Sequence, residues 1–333
     1  MNRLTVSQTP VRISATTSVR NLFYGTFGNR PHTGSVFLPG LPDGPSRLWF
    51  PRGILFAMDF IDVVFLGFLF LFGVIMGSFL NVVIYRLGSG VGFRGRSKCL
   101  SCGKTLTARM LVPVLSFLCQ KGKCAHCGTK LSWQYPLVEI AAGVAVVFSA
   151  MTEGFLFTSG SLVSGLLALL DASVWMVLLL VTVYDLKHKI IPDRLSLLFA
   201  VLAGLTLLVK YRYGIFPVAY IPIFDFVPQW IDLAAGPLLF LPFAGLWLLS
   251  RGRAMGLGDA KLAWGIGWFL GFSGGISAVI LGFWIAFFPS LLLLFLRGKH
   301  FTMKSEIPFA PFLVLGTLAV YLFGIDLFTW TIS

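Results

Sequence analysis

Two aspartates and four cysteines carry the chemistry this sequence can offer. Asp185 stands in Tyr184-Asp185-Leu186-Lys187-His188-Lys189-Ile190-Ile191-Pro192-Asp193, at the end of a long apolar run. Asp259 stands in Gly256-Leu257-Gly258-Asp259-Ala260-Lys261-Leu262, at the start of another, with 73 positions between the two acids. Two carboxyl groups held close together do not easily both ionise, so their titrations separate and one proton is shared. The ionised member can activate water while the protonated member polarises a peptide carbonyl, with no covalent intermediate. Gly256 and Gly258 would permit close backbone approach or local unwinding beside Asp259, with Lys261 as further support. Pro192 limits helical continuation and would set where the next helix begins. Each acid also has a plainer use, Asp185 and Asp193 ending helices and Asp259 capping one. One GxGD tetrapeptide is a weak signal; both acids falling on one side of a membrane favours catalysis.

Cys99-Leu100-Ser101-Cys102 and Cys124-Ala125-His126-Cys127 are each followed by glycine, at Gly103 and Gly128, with twenty-one residues between the pairs. A two-residue spacer lets paired thiolates converge, glycine permits the tight turn, and Lys98, Lys104 and Lys123 favour the thiolate form. Cys99, Cys102, Cys124 and Cys127 therefore read as a structural Zn2+ site, stapling a loop too small to build its own core. Disulfides and an unmetallated loop are the other readings. Cys119 is left over as an apolar filler, and four thiols complete the shell without His126.

Three further residues invite chemistry. Asp171 lies inside an apolar run, where an acid is a functional candidate, but at a rise of 1.5 Å per residue it falls about 20 Å from Asp185. It reads as a separate buried polar contact or as a sign that the span begins later, with no central cation apparent to pair with it. His188 reads as a solvated loop histidine between two lysines rather than a proton carrier. Glu139 would anchor a helix or meet a positively charged substrate.

The elements that must position these groups are membrane helices. Of 333 residues, 57% are apolar and 12% charged, far fewer charges than a soluble domain carries. Apolar runs at 60–84, 136–153, 162–184, 191–210, 229–249, 259–273, 275–296 and 308–328 each approach the length that crosses a bilayer. The expected fold is an all-α polytopic bundle of about eight transmembrane helices with a small zinc-ribbon-like cysteine loop, and the sixth and seventh runs are divided near Ser273-Gly274. A net charge of +13 would suggest nucleic acid in a soluble protein, but the basic residues alternate by loop. Arg86 to Lys130, Lys187 to Arg194, Arg251 to Lys261 and Arg297 to Lys304 form one set, against Lys210 and Arg212 on the other side. The rich set faces the cytoplasm, placing both aspartates and the cysteine loop there, and nucleic acid is not an expected partner. Residues 1–57 hold six arginines, no lysine and one acid, Asp43. They read as a disordered tail, a targeting sequence or, preferably, an upstream misassignment of a start at Met58, which removes six arginines from the outward side.

Together these features resemble the bacterial type IV prepilin peptidases, or leader peptidase/N-methyltransferases, over nearly all of residues 58–328. The likeness rests on Gly77-Ser78-Phe79-Leu80-Asn81-Val82-Val83-Ile84-Tyr85-Arg86-Leu87, the two CxxC pairs, Tyr135-Pro136-Leu137-Val138-Glu139, residues 185–193, residues 256–262 and Pro308-Phe309-Ala310-Pro311-Phe312. The resemblance implies GxGD-type aspartic proteolysis by Asp185 and Asp259 in a bacterial inner membrane. The expected partners are type IV prepilins or type II secretion pseudopilins, cut after glycine. It further implies N-methylation with S-adenosyl-L-methionine, since the cysteine loop matches members that commonly have both activities. The expected organisation is a tail at 1–57, a first span at 58–86, a cytoplasmic four-cysteine loop at 87–134 and a peptidase membrane core at 135–333. The alternatives are another GxGD intramembrane protease and a non-enzymatic zinc-stabilised scaffold or transporter.

Overall fold

Backbone polar groups that enter a bilayer must be paired within the protein, and continuous helix is the local solution. A computed structural model describes residues 60–87, 95–153, 161–213, 230–253, 255–295 and 308–327, all within one compact unit. The readings of residues 1–57 and of a start at Met58 lie outside the described residues. The helices are α1 (Phe60–Arg86), a short α2 (Leu115–Cys119) in the cysteine loop, α3 (Gln134–Thr152), α4 (Leu162–His188), α5 (Asp193–Tyr213), α6 (Trp230–Ser250), α7 (Leu257–Phe295) and α8 (Ala310–Phe323). No strand forms among the described residues beyond two isolated bridges in that loop.

Six of these, α1 and α3 to α7, are long and apolar enough to cross a membrane. The apolar stretch of α7 runs for 36 residues, which as straight helix would be about 54 Å long against a hydrocarbon core of about 30 Å. Gly271, at φ 75° and ψ −176°, breaks it. A Cβ placed on Gly275 would lie 3.2 Å from Gly267 Cα, although eight residues of unbroken helix would hold these positions about 12 Å apart. The chain therefore folds back into two arms. Asp232 of α6 stabilises the turn, its Oδ1 accepting the N–H of Phe272 at 2.9 Å where the second arm begins. The break lies two residues before the expected Ser273-Gly274 boundary, because a left-handed residue facing the Asp232 carboxylate decides it. With both arms of α7 and the 14-residue α8, the described residues hold eight apolar helical segments, the number expected.

α4 is the central helix. Val174, Leu178 and Val181 are fully buried against a core that includes Leu262, Ile266 and Leu313, while α1 is mostly exposed. Helices in lipid gain from close backbone approach at small residues, and α1 meets α3 in this way. A Cβ at Gly77 would sit 2.7 Å from Glu139 Cα, so a larger residue would push the two helices apart.

Candidate functional site

α4 carries Asp185 in its last turn and ends at Lys189, whose φ of 54° is left-handed. The Pro192 carbonyl then accepts the N–H groups of Leu195 at 3.0 Å and Ser196 at 3.2 Å, so Pro192 opens α5 as expected. Asp193 begins α5, and its Oδ1 receives Lys261 Nζ at 2.6 Å, tying that helix to the first turn of α7. At Gly258 a Cβ would lie 2.9 Å from Ile191 Cβ, so the start of α7 presses directly on the α4–α5 link. A Cβ on Gly256 would meet nothing closer than Asp259 Oδ2 at 3.8 Å, an ordinary contact. Of the two glycines, packing requires only Gly258.

These contacts bring Asp259 beside Asp185. The two carboxyl groups interact electrostatically, and only 4% of Asp185 and 9% of Asp259 is exposed. The N–H of Ala310, first residue of α8, donates to Asp185 Oδ2 at 3.2 Å. Asp259 makes no capping bond among the described residues, so its burial is not explained by helix termination. His188 is exposed, as expected, but it lies in the last turn of α4 and not in a loop, its ring tilted 34° to that of Tyr184 with centroids 4.5 Å apart.

Glu139 stands apart from this pair. It is buried and accepts the N–H of Val114 at 2.7 Å and a hydrogen bond from Ser78. Asn81 Nδ2 donates to the Tyr135 carbonyl at 3.1 Å. Of its two expected uses, Glu139 serves as an anchor, mounting the cysteine loop on α3.

The loop itself is built from two like knuckles. The N–H of Gly103 reaches the Cys99 carbonyl and that of Gly128 the Cys124 carbonyl, both at 2.9 Å, with φ 70° at each glycine. All four sulfur atoms lie within 4.8 Å of one another, and those of Cys99 and Cys127 are 3.9 Å apart. A tetrahedral zinc centre with four thiolate bonds of about 2.3 Å has sulfur–sulfur edges of about 3.8 Å, so the donor set fits zinc. Hydrogen bonds from the Thr129 side chain and backbone pull the Cys127 thiol down to about 6, and the backbone N–H of Cys102 lowers Cys99. The Lys104 N–H pulls Cys102 down too, but burial and the neighbouring Cys99 and Cys127 outweigh it and raise that thiol to about 11. A divalent cation would relieve such crowding of negative charge. Cys119 is exposed and outside the cluster, which corrects its reading as an apolar filler: Phe117 fills that place, buried against Trp133 with ring centroids 5.0 Å apart.

A family model for the bacterial peptidase A24 N-terminal domain matches residues 71–152, and one for the type IV leader peptidase family matches residues 172–298. Over 276 residues the chain is 31% identical to a protein of Bacillus subtilis (strain 168) named prepilin leader peptidase/N-methyltransferase, covering 80% of this chain and 98% of the relative. The chain belongs to the type IV leader peptidase family. A second relative of that name, from Aeromonas salmonicida (strain A449), is 30% identical over 304 residues, covering 81% of this chain and 94% of the relative. A third, from Klebsiella pneumoniae, is 33% identical over 216 residues, covering 62% and 85%. No solved structure gives a significant match.

Within this family framework the thiol cluster and Glu139 fall in the N-terminal match, and both aspartates fall in the leader peptidase match. Ala310 lies beyond both, so the group that touches Asp185 most directly comes from outside the matched segments. The PFAPF segment had marked the place, but a backbone donor has no signature in residue type. A second polar cluster was also missed. Tyr321 Oη donates to Asp171 Oδ2 at 2.7 Å, and Lys210 Nζ lies 4.0 Å from Asp171 and 3.1 Å from Glu153. Asp171 thus has a cation after all, reaching in from the far end of α5, and loop-by-loop charge counting could not reveal it.

Proposed function

We propose that this leader peptidase family member removes the leader from type IV prepilins or type II secretion pseudopilins after glycine, at the cytoplasmic face of a bacterial inner membrane, and then methylates the new N-terminus. The supporting observation is the meeting of two buried carboxylates, Asp185 and Asp259, where α4, α7 and α8 converge. Lys187, Lys189, Arg194, Arg251 and Arg253 cluster by sequence at the same helix ends, the charge bias of a cytoplasmic boundary. A prepilin offers a basic leader followed by an apolar helix; with the helix in the bilayer and the leader outside it, the junction falls at that boundary.

One carboxylate takes a proton from water as the water oxygen attacks the scissile carbonyl carbon, and the protonated carboxyl gives its proton to the carbonyl oxygen. Collapse of the tetrahedral gem-diol breaks the C–N bond: the nitrogen takes up a proton from the acid formed in the first step, and a gem-diol hydroxyl returns its proton to the other carboxylate as the new carboxyl group forms. The products are a leader carboxylate and a new amine. Zinc held by Cys99, Cys102, Cys124 and Cys127 would only stiffen the loop. Methyl transfer to the amine would draw on S-adenosyl-L-methionine, and this second activity rests on the relatives' shared name. The Asp171–Lys210 pair is read as a structural contact and not a transport site, since Asp171 is fully buried and hydrogen-bonded by Tyr321.

The test is mass spectrometry of a co-expressed prepilin. Loss of the leader after its glycine supports the peptidase, and one added methyl group on the product supports the second activity. Intact prepilins across a panel of type IV and pseudopilin substrates would reject the reading.

A further inference from the structure

An apolar groove of about 540 Å³ runs between α6 and the second arm of α7. Its lining recurs every fourth residue from Leu238 to Leu246 on α6 and takes Phe272, Ile276, Val279 and Phe283 on α7, with no polar side chain. These spacings are single helix faces, and from Phe272 to Phe283 the trough is about 16 Å long. Paired helical stripes of this kind accept the ridge of a third helix.

The groove is continuous with the aspartyl site. At one end the Phe283 ring lies 4.8 Å from that of Phe309, the residue before the Ala310 that binds Asp185. Its floor residues Leu239 and Phe243 pack in one cluster with Ala260, next to Asp259. Beside the groove, α6 leaves room for close approach. Gly236 and Gly267 each press on a neighbouring helix, whereas a Cβ on Gly245, beside Leu246, would meet nothing within 4 Å. A small residue facing open space is what a helix packing in lipid exploits.

We infer that this groove seats the first turns of the substrate's apolar helix, the segment that follows the scissile bond. The inference rests on the leader peptidase reading, and it explains how a bilayer-embedded helix is aligned: seated here, its leading end lies at Phe309, against the two carboxylates.

The test uses the full chain in membranes with a tagged prepilin already shown to be cleaved by the wild type. Asp259→Asn retains uncut substrate, and a benzophenone amino acid replaces Leu246 or Ile276, or, as lipid-facing controls, the exposed Leu197 or Leu205 of α5. The expected result is prepilin adducts several-fold stronger from the groove positions than from α5. Adducts equal at both places, or absent from the groove, mean that lipid fills it and overturn the inference; adducts only between enzyme chains do the same. Failure of the wild type to cut any prepilin would instead remove the functional reading on which this depends. Independently, Leu246→Trp should raise KM for the embedded prepilin about tenfold, equivalent to about 1.4 kcal/mol, and by more than it lowers kcat. A fall confined to kcat overturns the inference.

Discussion

Ala310 and Asp185, 125 residues apart in sequence, are joined by a buried hydrogen bond of 3.2 Å from the amide N–H of the first residue of α8 to Oδ2 of the carboxylate. With Gly258 against Ile191 and Lys261 on Asp193, the ends of α4, α5, α7 and α8 are fixed around the aspartyl pair. Asparagine at 185 keeps a carbonyl oxygen that can accept the Ala310 N–H, so under the proposed mechanism Asp185→Asn removes the proton chemistry and spares the packing. Asp185→Asn and Asp259→Asn should each lower prepilin cleavage by about 10³-fold or more, the scale of a lost general acid or base. Membrane insertion and amount should be unchanged. Processing at wild-type rate by either variant would exclude that residue from the chemistry.

The two glycines flanking Leu257 should behave differently. Alanine at 258 forces its Cβ to within 2.9 Å of Ile191 Cβ, whereas alanine at 256 makes only an ordinary contact. Overpacking of this kind costs about 1–3 kcal/mol, here released by shifting Asp259 away from Asp185. Cleavage by Gly258→Ala should fall at least about tenfold, since reacting groups tolerate little misplacement, and Gly256→Ala should stay near wild type. Equal rates for the two would show that the α7 start is not held by this contact.

The thiol cluster was legible in sequence because its geometry is local. Each knuckle is a few residues closed by its own backbone bonds, and a CxxC spacing with a following glycine encodes nearly all of it. The helices were legible for the same reason, as apolar runs of membrane length. The Gly271 turn was displaced by two residues because Asp232, forty residues earlier, selects it. Lys210 and Ala310 escaped notice because their partners are brought near only by packing, and neither a helix-end lysine nor an alanine amide signals a tertiary contact by its type. Cysteine replacements test the local part: each of Cys99→Ser, Cys102→Ser, Cys124→Ser and Cys127→Ser should lower zinc bound to the purified chain, while Cys119→Ser should not. Unchanged metal content in all four would eliminate the zinc centre.

The turn in α7 rests on one left-handed glycine and one carboxylate. Losing a cap of this kind costs about 0.5–2 kcal/mol, and a side chain in this extended, positive-φ conformation costs about 1–3 kcal/mol. Gly271→Ala also drives its Cβ to 2.9 Å from Asp232 Oδ1. Thermal unfolding in detergent should therefore come earlier for Gly271→Ala and for Asp232→Ala, with Asp232→Asn milder because its amide oxygen still accepts the Phe272 N–H. Residues in one contact are not additive, so the double variant should lose less than the sum of the two singles. Strict additivity would mean that the two residues act separately.

Lys210, Asp171, Glu153 and Tyr321 join the ends of α3, α5 and α8 to the middle of α4. Asp171 has no exposed surface, and its Oδ1 has no protein hydrogen-bond partner among the described residues. Removing the cation therefore leaves a buried charge uncompensated, a loss of about 3–5 kcal/mol for enclosed pairs. Lys210→Met should sharply reduce the fraction of chain that stays monodisperse on heating. Adding Asp171→Asn removes the fully buried one of the two acids that lose their cation, while its amide oxygen can still accept from Tyr321, so the double variant should recover part of the lost stability. Tyr321→Phe should cost less than Lys210→Met, because it removes a hydrogen bond and leaves the cation in place. If the double variant is no more stable than Lys210→Met alone, the lysine acts through its alkyl packing and not through its charge.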